Sequence, residues 1–199
     1  MPQPDEELLS RARGVRALVL DVDGVLTDAT LIYSARGETL KRFSARDGFA
    51  IKTAMGEKVE IGILSGRLAP AIRTRVTDLG IPPDHVIQGS RNKRHDIATL
   101  SERLGLGLAE VAFMGDDLPD LPALTLVGLA ACPSDAAPEV RARCHFIAPS
   151  PGGRGAVRDL VELVLKARGR WDDLVAAWAA GGPPDGFYGP GRSAARRSL

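Results

Sequence analysis

The sequence predicts an α/β fold in which helices flank a parallel sheet. Short apolar runs of strand length alternate with segments of helical periodicity, and this alternation is typical of parallel sheets. The first apolar run ends on two aspartates and a glycine, as expected where a buried strand reaches the edge of its sheet. Strands are predicted over 16–21, 59–64, 85–87, 111–114, 126–131 and 144–147, and helices near 48–57, 68–79, 92–104, 117–123, after 156 and after 169.

The first strand and its turn, LVLDVDGVLT over 18–27, carry the clearest chemical signal. Ligands of open α/β sheets bind at the carboxyl ends of the strands, where Asp21 lies. Asp23 follows two residues later, so a hard cation beside Asp21 can reach the Asp23 backbone while its side chain points elsewhere. One carboxylate could attack and the other transfer protons, although either could also be an ordinary turn or capping aspartate.

Further polar groups occur downstream, each at or just beyond a predicted strand. The second strand runs into the segment 65–67, Lys93 follows a turn-like stretch, and the next strand runs into Asp116 and Asp117, with Asp120 one helical turn later. The carboxyl ends of parallel strands meet at one edge of a sheet, so these groups are expected to share one pocket. Asp120 stays open between a pocket residue and a partner of the helix dipole.

The order DxDGxxT, Ser, Lys and GDDxxD resembles the haloacid dehalogenase superfamily of phosphohydrolases. Within it, the stretch 21–52 and the motifs QGSRNK, MGDDLPDLP and GGRGAVRDL are similar to 3-deoxy-D-manno-octulosonate (KDO) 8-phosphate phosphatases, over roughly residues 15–168. The resemblance implies a Rossmann-like fold and hydrolysis of KDO 8-phosphate in lipopolysaccharide precursor synthesis. It also implies an aspartyl-phosphate intermediate.

Each predicted site residue has a role in this chemistry. Asp21 is the expected nucleophile and Asp23 the general acid and base, while Ser65 and Lys93 contact the phosphoryl group. The oxygen-only ligand set suits Mg²⁺, held by Asp21, Asp116 and the backbone carbonyl of Asp23. The expected substrate-binding residues are Thr27, Arg46, Ser65, Gly66, Arg67, Lys93, Asp117 and Arg154.

Several alternatives stay open at this point. Arg46 and Arg67 could be surface ion-pair partners instead of substrate ligands, and Arg91 and Arg94 compete with Lys93 as the cation of the pocket. Departures from the family pattern, such as Ala29, leave room for another sugar acid phosphate, including a nonulosonate 9-phosphate. Two other classes are a non-catalytic oligomerisation module related to that of sialic acid activating enzymes and a phosphate-receiving signalling domain.

The spacing leaves no room for a cap domain. The 43 residues between Asp21 and Ser65 and the 27 between Ser65 and Lys93 cannot hold both sheet elements and a separate lid. Residues 30–44 predict a projecting β-hairpin with exposed apolar side chains. In the family that the sequence resembles, such hairpins assemble four subunits and cover the neighbour's site, which implies a homotetramer. The hairpin residues expected to be exposed are Leu31, Tyr33, Leu40 and Phe43.

A glycine-rich segment precedes the helix predicted after 156. Glycines at such density allow a backbone to approach a ligand closely, and Arg154 among them offers donors to a carboxylate or phosphate. The resemblance implies that this segment helps to close a neighbouring subunit's pocket. A flexible connection before the helix is the simpler alternative.

Composition excludes some function classes. The formal net charge of +1 gives no basic field for nucleic-acid binding, and the sequence has no apolar run of membrane-spanning length. The acidic N-terminus does not resemble a signal peptide, so we expect a cytoplasmic protein with reduced thiols at Cys132 and Cys144. The expected organisation is a tail over 1–14, the phosphatase domain over 15–168, an extra helix within 169–180 and a disordered tail over 181–199.

Overall fold

The computed structural model describes residues 4–35 and 37–182, which form a six-stranded parallel sheet flanked by helices and a separate two-stranded hairpin. The predicted α/β fold is confirmed. In chain order the strands are β1 (Ala17–Leu20), β2 (Ile32–Ser34), β3 (Gly37–Leu40), β4 (Glu60–Ser65), β5 (Val86–Gln88), β6 (Val111–Met114), β7 (Leu129–Cys132) and β8 (Phe146–Ile147). The main sheet has the order β5-β4-β1-β6-β7-β8.

The predicted helices are present close to their expected positions, and two further helices, Glu6–Gly14 and Pro138–Arg141, were not predicted. The segment predicted as a helix over 117–123 is divided into a 3₁₀ turn, Leu118–Asp120, and a short helix, because Pro119 and Pro122 interrupt the backbone hydrogen bonding. The helices are α1 (Glu6–Gly14), α2 (Ala45–Gly56), α3 (Pro70–Leu79), α4 (Lys93–Arg103), α5 (Leu121–Leu124), α6 (Pro138–Arg141), α7 (Ala156–Ala167) and α8 (Trp171–Ala179).

Strand β1 is the centre of the sheet. It pairs with β4 on one side and with β6 on the other, so that Leu20 is in register with both Ile63 and Met114. All four residues of β1 are buried because they alternate between two hydrophobic clusters, one on each face of the sheet. The Asp21 amide donates to the Met114 carbonyl (3.0 Å), which holds the end of β1 beside the end of β6.

The first described segment is helical where the sequence predicts a tail. The side chain of Asp5 caps α1 by accepting from the Leu8 amide (2.8 Å), and Ala12 is fully buried where α1 packs against α7. Acidic residues occupy the first turn and basic residues the last, an arrangement that complements the helix dipole. These end signals can be seen in the sequence, but the burial of Ala12 depends on a helix more than 140 residues later.

The C-terminal helix α8 lies within the segment predicted as an extra helix. Leu174 is buried, and Trp178 packs on Phe49 of α2 with ring centroids 5.4 Å apart. The Arg158 guanidinium lies 4.8 Å from the Trp171 ring centroid, so α8 is attached to α7 as well. The prediction of disorder over 181–199 concerns residues of which only Gly181 and Gly182 are described.

Strands β2 and β3 form the predicted hairpin. Tyr33 and Leu40 are 60% and 61% exposed, as expected, whereas Leu31 is half-buried. Phe43 differs from its prediction because it packs against the hydrophobic core, with the Arg75 guanidinium 5.6 Å from its ring centroid. Between β1 and α4 the described residues form this hairpin, the helices α2 and α3, the strands β4 and β5, and one 3₁₀ turn. None of these described elements forms a cap domain.

The glycine-rich segment 152–155 packs against the turn that follows β1. A Cβ atom at Gly152 would lie 1.8 Å from the Gly24 carbonyl oxygen, and the Gly153 amide donates to the Val25 carbonyl (2.9 Å). Gly153 also has a positive φ of 64° and lies against Thr27. The pattern of glycines alone predicts a close approach to a ligand, but Gly152 and Gly153 instead allow two backbone segments of the same chain to touch.

Replacing Gly152 with alanine should lower the free energy of unfolding by about 1–3 kcal/mol, because the added methyl overlaps backbone atoms that cannot move aside. Urea denaturation measures this difference. The matched control is Gly14→Ala, since a Cβ at that position meets nothing within 4 Å and its substitution should leave stability unchanged or slightly raised. Equal stability of the two variants would contradict this account of the turn.

Candidate active site

A cavity of about 540 Å³ opens at the carboxyl ends of the central strands. Ligands of open α/β sheets bind beyond the carboxyl ends of the strands, at the point where the strand order reverses. In this sheet that point is β1, which has β4 on one side and β6 on the other. Eight of the predicted site residues line this cavity: Asp21, Asp23, Ser65, Gly66, Arg67, Lys93, Asp116 and Asp117. The cavity is also lined by Ala29, Leu31, Ser90, Arg91, Asn92, Pro119, Asp120 and Pro122.

Lys93 lies between two carboxylates at the bottom of the site. Its ammonium is 3.0 Å from Asp21 Oδ1 and 2.5 Å from Asp120 Oδ1, and all three side chains are less than 10% exposed. Lys93 is the first residue of α4, and Asn92 caps this helix by accepting from the His95 amide (3.2 Å). The helix start therefore fixes the position of the cation relative to the end of β1.

Asp120, which the sequence left open, belongs to the site. Its Oδ2 accepts hydrogen bonds from the amides of Asp116 (3.0 Å) and Asp117 (3.2 Å), while its Oδ1 accepts from Lys93. The same carboxylate thus shapes the loop after β6 and balances the charge of the lysine. The DDxxD spacing is the signal in the sequence that points to Asp120 as a site residue. The same spacing is equally typical of an aspartate that only interacts with a helix dipole.

Three carboxylates are grouped closely enough to hold a metal ion. One ligand oxygen from each of Asp21, Asp116 and Asp120 lies within 4.8 Å of the others, and this oxygen-only set fits a hard divalent cation. Both oxygens of Asp120 already accept hydrogen bonds, so Asp21 and Asp116 are better placed to supply ligand atoms. The predicted ligation by the Asp23 carbonyl stays a prediction.

The turn after β1 must leave room for Asp116. A Cβ atom at Gly24 would lie only 2.0 Å from Asp116 Oδ2, and Gly24 has a positive φ of 90°. Glycine is therefore required here both for the backbone conformation and for the close approach of a carboxylate. The same observation shows that Asp116 points toward the turn that carries Asp23.

The crowding of buried carboxylates changes their acidity. Burial, followed by repulsion from Asp120, raises the pKa of Asp21 to about 7. Burial, followed by repulsion from Asp21, Asp120 and Asp117, raises the pKa of Asp116 to about 8. Burial on its own would lower the pKa of Lys93, but the neighbouring carboxylates outweigh it and raise that pKa. The cluster thus has more negative charge than Lys93 balances, and a bound cation or protons would relieve it.

Asp23 is held by two cations from different parts of the chain. The Lys41 ammonium lies 2.5 Å from Asp23 Oδ1, and Arg67 Nε lies 3.6 Å from Asp23 Oδ2. Arg67 also donates to the Tyr33 hydroxyl (3.4 Å), which connects the hairpin to the site. Lys41 was not among the residues that the sequence pointed to, because a lone lysine after a predicted strand carries no motif.

The Ser65 hydroxyl stands at the end of β4, almost completely buried. Its Oγ accepts from the Arg67 amide (3.2 Å), and its carbonyl accepts from the Ser90 amide (3.0 Å). Ser90 in turn donates to Asp96 (2.6 Å) and lines the cavity. These bonds join the loop after β4 to the loop after β5, so that Ser65 and Lys93 face the same space.

Three predicted substrate-binding residues do not line the cavity of the described chain. Thr27 is buried, and its hydroxyl donates to the Val22 carbonyl (3.3 Å), so it closes the turn that carries Asp23. Arg46 and Arg154 are exposed at the start of α2 and before α7. A role of either arginine in substrate binding stays a prediction.

Comparisons with known proteins agree with this geometry. Residues 85–158 match the family model of haloacid dehalogenase-like hydrolases. Over 167 residues the chain is 39% identical to the 3-deoxy-D-manno-octulosonate 8-phosphate phosphatase KdsC of Escherichia coli K12, covering 84% of this chain and 88% of that protein. The chain belongs to the KDO 8-phosphate phosphatase family of haloacid dehalogenase-like hydrolases.

Solved structures of this family include forms with ligands. The phosphatase from Moraxella catarrhalis, in complex with magnesium, phosphate and KDO, has a TM-score of 0.82 and 34% identity, covering 86% of this chain and 98% of that one. The cobalt-bound phosphatase from Haemophilus influenzae has a TM-score of 0.78 and 35% identity, covering 80% and 92%. Both relatives therefore bind divalent metals.

The raised pKa values of Asp21 and Asp116 give the metal site a specific pH dependence. Aspartates of the unfolded chain have a pKa near 3.8, so at a pH above this value the folded metal-free protein binds more protons than the unfolded chain does. The stability that these protons contribute is lost as the pH rises toward 7 to 8. Mg²⁺ must displace these protons, so its affinity should rise up to about tenfold per pH unit per displaced proton below those values. Calorimetric titration with Mg²⁺ between pH 6 and 9 measures this slope, and an affinity independent of pH would contradict it.

Proposed function

We propose that this protein is a Mg²⁺-dependent phosphomonoesterase that hydrolyses KDO 8-phosphate to KDO and inorganic phosphate. One observation carries the proposal: Asp21 lies beside Lys93 and within the carboxylate cluster, with Asp23 lining the same cavity. The relatives support the choice of substrate, since the Escherichia coli protein is named for this reaction and the Moraxella catarrhalis structure contains KDO, phosphate and magnesium.

The first step transfers the phosphoryl group to the enzyme. An oxygen of Asp21 attacks phosphorus, the bond from phosphorus to the sugar oxygen breaks, and Asp23 gives a proton to that oxygen as it leaves. The Lys93 ammonium balances negative charge on Asp21 and on the phosphoryl oxygens, and Ser65, which lines the same cavity, donates its hydroxyl proton to one of these oxygens. The product of this step is free KDO and an aspartyl phosphate on Asp21.

The second step releases phosphate. Water attacks phosphorus, Asp23 accepts the proton of that water, and the bond from Asp21 to phosphorus breaks to restore both carboxyl groups. Asp21 and Asp116 would hold the Mg²⁺ ion, which would supply positive charge to the phosphoryl oxygens. The sum of the two steps consumes one water molecule and yields one sugar acid and one phosphate.

The complete set of reactive groups disfavours the other classes. A non-catalytic oligomerisation module has no need of Lys93 buried between two carboxylates, and a phosphate-receiving signalling domain has no need of Asp23 in the cavity. A nonulosonate 9-phosphate would use the same catalytic residues and would differ in its contacts with Arg46, Arg67 and the C-terminal tail. A panel of sugar phosphates separates these substrates.

Asp21→Asn should lower the rate of phosphate release at least about a thousandfold, because an amide is a poor nucleophile and also a weaker metal ligand. A phosphate-release assay with KDO 8-phosphate measures it, and EDTA should have a comparable effect on the wild type. Asp172→Asn on exposed α8 is the matched control and should keep full activity. Turnover of a few per cent by a folded Asp21→Asn variant would remove Asp21 from the nucleophile's role.

We propose a homotetrameric assembly in the cytoplasm. The hairpin exposes Ile32, Tyr33 and Leu40, an apolar surface that a neighbouring subunit would cover, as the family resemblance implies. The open cavity lacks a cap, so a neighbour's hairpin or its Arg154 would supply further walls. Cys132 and Cys144 are free thiols and form no disulfide, which agrees with a reducing compartment. None of the described helices combines the length and hydropathy required to cross a membrane.

Leu40→Glu should shift the protein from tetramers to smaller species at micromolar concentration, because a buried charge at a subunit interface is costly. Light scattering coupled to size-exclusion chromatography gives the mass. Val175→Glu on α8, where the native side chain is 52% exposed, is the matched control and should leave the tetramer intact. A monomeric wild type would overturn the proposed assembly.

A further inference from the structure

We propose that Lys41 is a positioning residue that acts through Asp23 and sets the orientation of that carboxylate for protonating the leaving oxygen. The inference rests on the proposed function and adds a residue outside the motifs of the site. It assigns the hairpin a direct effect on the chemical step, because Lys41 directly follows its second strand, β3.

The contact between Lys41 and Asp23 is short and almost completely shielded from water. The Lys41 side chain is 1% exposed and its ammonium lies 2.5 Å from Asp23 Oδ1, while the Asp23 side chain is 20% exposed and lines the cavity. Arg67, on the other oxygen, is 45% exposed and more distant at 3.6 Å. Lys41 is thus the buried, close partner, and Arg67 is an exposed residue that a substrate can reach.

A buried lysine restricts its partner more strongly than an exposed one. Separating a desolvated ammonium from a carboxylate at 2.5 Å is costly, so Oδ1 of Asp23 has little freedom to leave Lys41. Fixing Oδ1 restricts rotation of the carboxyl group and leaves Oδ2, the oxygen nearer to Arg67, to carry the transferred proton. Proton transfer requires the donor oxygen within hydrogen-bond reach of the leaving oxygen, so this orientation affects the rate directly.

A purely structural role of Lys41 makes a different prediction. If the lysine only attached the hairpin to the domain, its loss would reduce kcat/KM for every phosphate ester by a similar factor. If it orients the general acid, the loss depends on how much help the leaving oxygen needs. Phenyl phosphate has a strongly basic leaving oxygen, whereas the nitro group of 4-nitrophenyl phosphate stabilises the departing anion without a proton.

The test compares these two esters in Lys41→Met. The parameter compared is kcat/KM, which reports the steps up to release of the alcohol and leaves out hydrolysis of the aspartyl phosphate that both esters share. We expect kcat/KM for phenyl phosphate to fall about 10-fold to 100-fold and kcat/KM for 4-nitrophenyl phosphate less than about threefold, since general acid catalysis contributes about 10²–10⁴. Arg42→Gln is the matched control, because this exposed neighbour pairs with Asp28 and should keep the wild-type ratio. Equal losses on both esters, or no loss on either, would overturn the role of Lys41.

A double variant covers the case in which the unpaired Asp23 prevents Lys41→Met from folding. Asp23→Asn removes the negative charge that Lys41 neutralises, so Lys41→Met in that background no longer leaves a charged Asp23 without its ammonium. If Lys41 acts through Asp23, the second substitution should change kcat/KM for phenyl phosphate by less than about twofold relative to Asp23→Asn alone. A further loss of tenfold or more would show an independent role and overturn the inference.

The outcomes also separate this inference from the proposed function. A folded wild type that releases no phosphate from KDO 8-phosphate refutes the proposed function. A wild type active on KDO 8-phosphate, together with an unchanged ester ratio in Lys41→Met, refutes only the role of Lys41.

Discussion

The burial of Lys93 between Asp21 and Asp120 is the interaction on which the functional edge of the sheet depends. Three carboxylates within 4.8 Å of one another repel strongly in a site that is largely removed from water. The Lys93 ammonium offsets part of this repulsion, and bound protons or a divalent cation can offset the remainder. The chain therefore forms a stable fold around a site that has an excess of negative charge and attracts a metal.

The order of the strands makes this crowding possible. Strands β1 and β6 are neighbours, so the loops that follow them place Asp21 and Asp116 together, and β4 on the other side adds Ser65. Glycine at position 24 allows the two loops to approach more closely than any other residue would permit. The phosphatase chemistry thus depends on backbone geometry at the strand ends as much as on the reactive side chains.

The sequence predicts the parts of the site that follow from strand ends. Asp21, Ser65 and Asp116 end or follow buried strands, and parallel strands bring their carboxyl ends to one edge, so local pattern is enough to predict that they share a site. The contact of Lys41 with Asp23 depends on how the hairpin folds back, which no local pattern contains. Thr27 shows a different limit, because its place in the motif predicts substrate binding, whereas the contact of its hydroxyl with the Val22 carbonyl closes a turn.

The backbone contact between Gly152 and the turn at Gly24 has a consequence for synthesis of the chain. Gly24 is made 128 residues before Gly152, whose backbone packs against its turn. A nascent chain therefore carries the acidic turn first without Lys93 and Asp116, and then, until Gly152 has been made, without this backbone support. The turn can reach its folded environment only after the segment 152–155 has been made.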